Sequence, residues 1–394
     1  MINLKILTTR LKHVTNILTF TLLLFTLLIS SKLDFISVKN TIDTFINITF
    51  PSLFPFILFV QVCNNTDVFY SLNKLLLFLP KIFKTTPNTA MIIFLSYLSG
   101  FPTSATMCNS MYEKGSITKK DAFILSTFTN NCSPIFIIVT VGIALLNNLH
   151  LGLLLFASHI ISSIIIGFVF SKIYTYIIHE NYVNLKYNSK KSVYFSKKNL
   201  TFFDILSKSL NSSFKVFISM FGFMLFFNIV SNLLCNLLYK FGITNSLIID
   251  ITTGLFEVVE GVKNISNNNY LSYCEIVKYL IYISVLLGFS GLSVIFQVKN
   301  EFKSICIPLK NLIFTKILHG ILSGFVTYIL LKYSNVLDTS LINVYSNIEM
   351  NKDEISEIYN YYINICAISL FVASTILVIN YKRKVTFPLS PGSL

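Results

Sequence analysis

Residues 88–112 read NTAMIIFLSYLSGFPTSATMCNSMY, an apolar run interrupted at its middle by Ser99-Gly100-Phe101-Pro102-Thr103-Ser104. Lysines flank it on both sides, with Lys74, Lys81 and Lys84 before it and Lys114, Lys119 and Lys120 after it. Short basic clusters mark the cytosolic side of a membrane protein's loops. A single crossing would strand one lysine group on the far side. The run must therefore enter the membrane and return, as a re-entrant hairpin turning at the Gly-Pro break.

The rest of the chain agrees that a bilayer is the solvent. Of 394 residues 54% are hydrophobic and only 12% charged, too few charges to cover a soluble surface. The net charge of +14 does not indicate nucleic acid, because the basic residues fall in clusters between apolar stretches, as positive-inside topology requires. Seven cysteines show no CxxC and no metal-ligand spacing, and no HExxH, Walker or GxSxG pattern occurs. No metal and no cofactor is expected. No nucleophile–base pair or acid–base carboxylate pair is readable, so the chain is read as no enzyme, with an intramembrane hydrolase as the weaker alternative. Lys5, Arg10 and Lys12 precede an apolar run, but no A-x-A site follows it; an uncleaved first helix is the expectation.

Threading the apolar stretches between the charge clusters gives the topology. The N-terminal cluster, the lysines from Lys172 to Lys208, and Lys382-Arg383-Lys384 are cytosolic, which puts both termini inside. The loop with Asp338, Glu349, Asp353, Glu354 and Glu357 is outside. Residues 11–31 cross outward and 41–63 inward; 88–112 form the hairpin; 121–146 cross outward and 149–178 inward. In the second half 212–238 cross outward, 245–264 form a hairpin from the opposite face, 270–298 cross inward, 308–332 outward and 361–381 inward. The fold class is thus an all-α polytopic membrane protein with an inverted-topology repeat, two re-entrant helical hairpins and broken helices. Its units are an N-terminal transmembrane helix (1–40), a first repeat (41–180), a basic cytosolic linker (181–211), a second, inverted repeat (212–333), an acidic outer loop (334–360) and a C-terminal helix with a basic tail (361–394).

Four breaks pair across the halves. Ser99 to Ser104 answers Thr252-Thr253-Gly254-Leu255-Phe256-Glu257; Asn130-Asn131-Cys132-Ser133-Pro134 answers Gly288-Phe289-Ser290-Gly291-Leu292-Ser293. A helix broken at membrane depth leaves free N–H and C=O groups, which attract anions and cations respectively. A substrate site is therefore expected from Ser99, Gly100, Pro102, Thr103, Ser104, Asn130, Asn131, Ser133, Thr252, Thr253, Gly254, Ser290 and Ser293. An ordinary kink is the plainer explanation of any one break taken singly, whereas for Asn130, Asn131 and Ser133 binding is favoured over interhelical hydrogen-bonded contact. Glu257, a carboxylate inside an apolar hairpin, is the candidate for a coupling proton or sodium ion. Glu260, next to Gly261 and Lys263, could equally sit at the outer interface. Gln297 and His319 are expected to be interfacial or packed in the bundle.

The same residues carry a resemblance. Pro51-Ser52-Leu53-Phe54-Pro55-Phe56, Ser99-Gly100-Phe101-Pro102, Gly115-Ser116-Ile117-Thr118, Asn130 to Phe136, Gly254 to Glu257 and Gly288 to Ser293 resemble the sporulation integral membrane protein family of the YlbJ (SpoVV) type. The resemblance implies a nucleoside-recognition "gate" domain and a plan similar to that of concentrative nucleoside transporters. It also implies dipicolinic acid export from the mother cell into the forespore intermembrane space, from a position in the outer forespore membrane of a bacterium. Lipid and the anionic substrate, dipicolinate, are then the partners; a homo-oligomer is left open. A nucleoside or nucleobase carrier and a non-transporting sporulation scaffold stand as alternatives.

Overall fold

The computed structural model describes residues 31–66, 76–177, 201–267 and 273–333. Every regular element among them is helical. Helix α1 (Ser31–Thr44) passes through a π-turn, Phe45–Thr49, into α2 (Phe50–Asn64), without a loop. The π-turn sits just ahead of Pro51 and the mid-helix Pro55, each of which lacks a ladder donor. The short α3 (Phe78–Ile82) leads into α4 (Ala90–Ser99), α5 (Thr103–Glu113) and α6 (Lys119–Phe128). A π-helix, Ile135–Leu145, follows, then the long α7 (Leu149–Ile177). The second set is α8 (Phe202–Lys240), α9 (Ser246–Phe256), α10 (Val258–Ser266), α11 (Tyr273–Phe289), α12 (Gly291–Glu301) and α13 (Leu309–Tyr333).

Among the described residues five helical stretches are long and apolar enough to cross a membrane: Phe35–Asn64, Leu149–Thr175, Phe202–Lys240, Glu275–Glu301 and Leu309–Tyr333. Burial runs opposite to that of a soluble bundle. Ile161, Ile164, Ile165 and Phe168 on α7, and Phe314, Ile321 and Phe325 on α13, face outward. The interior of the same two helices holds Ser158, His159, Ser162, Ser163, Lys316, His319, Ser323 and Thr327, all buried. With no water to hydrogen-bond them from outside, polar groups must meet each other: Thr327 donates to Ser284 at 2.7 Å, and Ser284 and Ser323 share a bond of 2.8 Å. The chain is a polytopic integral membrane protein, all-helical in its described regular elements.

Helix α13 packs on α11 and α7 at the centre. The α11 contact closes to backbone distance, since a Cβ on Gly288 would lie 2.8 Å from the Gly320 Cα. Such small-residue seams are how helices approach when lipid offers no hydrophobic drive between them.

The expected crossing at 41–63 is part of a helix that begins earlier, at Ser31. Likewise α8 starts at Phe202, ahead of residue 212, because Thr201 and Asp204 cap each other's backbone N–H groups there. The expected crossings 121–146 and 270–298 are each interrupted, before the π-helix and at Ser290. The expected crossings 361–381 and, except Ser31, 11–31 lie outside the described residues, as do the acidic loop and most of the basic linker.

Candidate functional site

Two helical hairpins frame the site. In the first, α4 and α5 turn at Gly100-Phe101-Pro102, and their open ends are tied by Asn88 Nδ2 donating to the Ser116 carbonyl at 2.8 Å. In the second, α9 and α10 turn at Glu257 and lie antiparallel in backbone contact. A Cβ on Gly261 would fall 2.1 Å from the Gly254 Cα. Glu257 caps α10, its Oε2 accepting the Glu260 N–H at 2.8 Å, which places a carboxylate at a helix's positive end.

Each hairpin tip nests in the broken helix that follows it. The Phe101 N–H donates to the Asn131 carbonyl at 2.8 Å, and Ser104 Oγ donates to Asn130 Oδ1 at 2.7 Å. Gly100, at φ +71°, comes so close that a Cβ there would stand 2.8 Å from the Ser133 nitrogen. In the second half, a Cβ on Gly291 would lie 3.1 Å from the Val258 nitrogen and 3.3 Å from the Gly254 carbonyl oxygen. The two breaks then meet each other. Lys316 on α13 donates to the Asn130 carbonyl and, at 3.0 Å, to Ser290 Oγ. Cys132 Sγ reaches the Leu287 carbonyl at 3.5 Å.

Beside this junction Thr49, Ser52, Phe101, Ser133, Glu257 and Gln297 line a cavity of about 20 Å³, closed further by apolar side chains such as Met220 and Val294. That is room for about one water. Glu257 is 1% exposed. The Thr49 hydroxyl and Gln297 Oε1 are buried there without a hydrogen-bond partner, which in a native interior calls for an explanation. Gln297 Nε2 is occupied, donating to Ser293 Oγ at 3.1 Å.

The remaining sequence-derived candidates are placed as follows. Ser99 donates to Leu95 of its own helix at 2.7 Å, and Pro102 is the N-cap of α5. Thr103 is buried with an unpartnered hydroxyl. Asn131 Nδ2 donates to the Phe128 carbonyl and to Ser163. Thr252 bonds Ile248 of its own helix at 2.7 Å, and Thr253 lies 3.6 Å from Cys235 on α8, so neither hydroxyl is engaged at the junction. Glu260 is explained by its neighbours, accepting from Thr44 at 2.5 Å and pairing with Lys263 at 3.6 Å. His319 is bundle-packed, its ring 4.5 Å from that of His159. Gln297, by contrast, is in the cavity. At the open end of the first hairpin, burial and then the nearby Lys208 hold Lys114 below the usual amine range; its Nζ donates to the Asn64 carbonyl at 3.0 Å. No cluster of three or more His, Cys, Asp or Glu fit to hold a metal exists among the described residues.

Lys316, Gln297, Thr49 and Ser52 are site residues that sequence reasoning did not select. Lys316 carried a signal nonetheless. With His319, Gly320, Ser323 and Thr327 it forms a stripe at helical spacing, a polar face on an otherwise apolar crossing.

Comparison with known proteins places the chain beside one named relative. It is 24% identical over 330 residues to the sporulation integral membrane protein YlbJ of Bacillus subtilis (strain 168), covering 75% of this chain and 76% of the relative. That likeness bears out the resemblance to the YlbJ type read from the motifs. No family model matches the chain, and no solved structure matches it.

Proposed function

We propose that this relative of the YlbJ-type sporulation membrane proteins is a transporter of a small polar or anionic solute, with dipicolinic acid the solute that the resemblance implies. The carrying observation is that breaks from both halves converge on one point, where Lys316 bridges the Asn130 carbonyl and Ser290. Irregular backbone at membrane depth is tolerated only where protein or a cavity satisfies it, and in carriers built from repeats the site forms between the repeats. A scaffold has no need of a buried lysine, a buried glutamate and unpartnered hydroxyl and amide groups at one junction.

In this reading the two hairpins are re-entrant from opposite faces and the halves form an inverted repeat. The cavity beside Glu257 is water-sized, so the chain is in a closed state. A planar dianion is admitted when the hairpin tips withdraw from the breaks. Its carboxylates would then meet the N-terminal ends of α5 and α12 and the Lys316 amine, while Glu257 holds the coupling proton or cation. The setting would be the outer forespore membrane, and the direction export from the mother cell.

The test is uptake into vesicles carrying the purified protein, with radiolabelled dipicolinate against uridine and adenine. Dipicolinate uptake that unlabelled dipicolinate competes away supports the reading. Uptake of the nucleoside or nucleobase instead supports the gate-domain alternative, and uptake of none of them defeats the dipicolinate assignment.

A further inference from the structure

Lys316 is buried to 6% exposure in the middle of a membrane-crossing helix and pairs with no carboxylate of the described residues. What it meets is the Asn130 carbonyl, just past the end of α6 at Phe128, and Ser290, which follows the end of α11 at Phe289. The last carbonyls of a helix lack intrahelical partners and carry the negative end of its dipole. The C-terminal ends of α6 and α11 both finish at this junction, and an ammonium there offsets their negative partial charge together with the positive end of α12, which opens at Ser290. Broken membrane helices commonly meet this need with a bound sodium ion held by unwound carbonyls and hydroxyls. Here the acceptors are of that kind, a backbone carbonyl and a serine hydroxyl, and an ammonium with three donors fills the place.

We infer that the junction of the two broken helices is a monovalent-cation site permanently occupied by a tethered cation, the Lys316 ammonium. Because the charge is attached to α13, it is not exchanged with solution, and the carrier needs no sodium at this position. This rests on the reading of the chain as a transporter only for its consequence; the cation site itself does not.

The test removes the tether and offers a free cation. Purified full-length protein and Lys316→Ala are melted in detergent in sodium, methylammonium or choline chloride at equal ionic strength. The wild type should melt alike in all three. Lys316→Ala should melt lower in choline and be raised saturably by methylammonium, which replaces the lost ammonium, and less by sodium. A variant indifferent to all three salts overturns the inference, and so does a wild type stabilised by sodium as much as the variant is. If Lys316→Ala does not fold, Lys316→Gln keeps hydrogen-bond donors without charge; wild-type melting in that variant would equally overturn it, whereas loss of folding in Gln but not in Lys316→Arg is the expected mark of a needed charge. In vesicles, wild-type solute uptake should be the same in sodium and in choline, and uptake by Lys316→Ala should fall by about tenfold or more, as hydrogen bonds from a charged donor generally count. A chain that carries no dipicolinate but shows the melting pattern retains the cation site and loses only the proposed substrate.

Discussion

Glu257 is fully buried, with one carboxylate oxygen held by the Glu260 N–H, in a cavity whose threonine and glutamine oxygens lack partners. A carboxylate so placed can carry a proton or position a cation. Glu257→Gln keeps the shape and removes both options. The expected outcome is a protein that inserts and folds but whose uptake no longer varies with pH; unchanged pH dependence in vesicles would end the coupling role. Ser104 and Asn131 predict a second contrast. Leucine at either should block uptake, because it adds bulk at a contact already closed by the Ser104–Asn130 and Phe101–Asn131 bonds, a change costing about 1–3 kcal/mol in a packed interior. Leucine at the outward-facing Ile165 should leave uptake and melting near wild type. At this scale the sequence was half legible. Asn130, Ser133 and Glu257 announce themselves as polar groups in apolar runs. Lys316 did not, because Lys310 and Lys332 stand on the same segment and the charge between them reads as one more of the same.

Helix breaks were the most readable elements, since Gly100, Pro102 and the Ser290-Gly291 pair act through local backbone chemistry that neighbours cannot override. The π-helical stretches were not readable. An i→i+5 ladder in an apolar run such as Ile135–Leu145 leaves no residue signature, and its register depends on what packs around it. The start of α8 had a signal, the Thr201–Asp204 capping box, hidden beneath the lysines that dominated the linker's reading. The close seam between α9 and α10 supports a paired prediction. Gly261→Ala puts a methyl 2.1 Å from the Gly254 Cα, and backbone must move, so stability should fall by about 1–3 kcal/mol. Gly222→Ala, in the exposed middle of α8 with nothing within 4 Å, should instead be neutral or gain about 0.5–1 kcal/mol from helix propensity. Thermal melting of the two variants side by side reads the difference, and equal losses would mean the hairpin is not packed through its glycines.

For the whole molecule, the expected orientation rests on charge asymmetry between loops, several of which lie outside the described residues, so its test is chemical. With the protein expressed in the plasma membrane of a non-sporulating host, a cysteine replacing Asp353 should react with an impermeant thiol reagent added outside the cells, and one replacing Lys191 should not; the reverse pattern would remove the argument for opposed hairpins. One native side chain already reports on more than orientation. Cys132 is wholly buried between the two broken helices, while Cys306 is exposed. In a chain relieved of Cys274, Cys306 and Cys366, alkylation at Cys132, followed by mass spectrometry, becomes a clock. If the halves of the proposed carrier separate during transport, Cys132 reacts only while they are apart, and its rate in the presence and absence of solute measures how often they open.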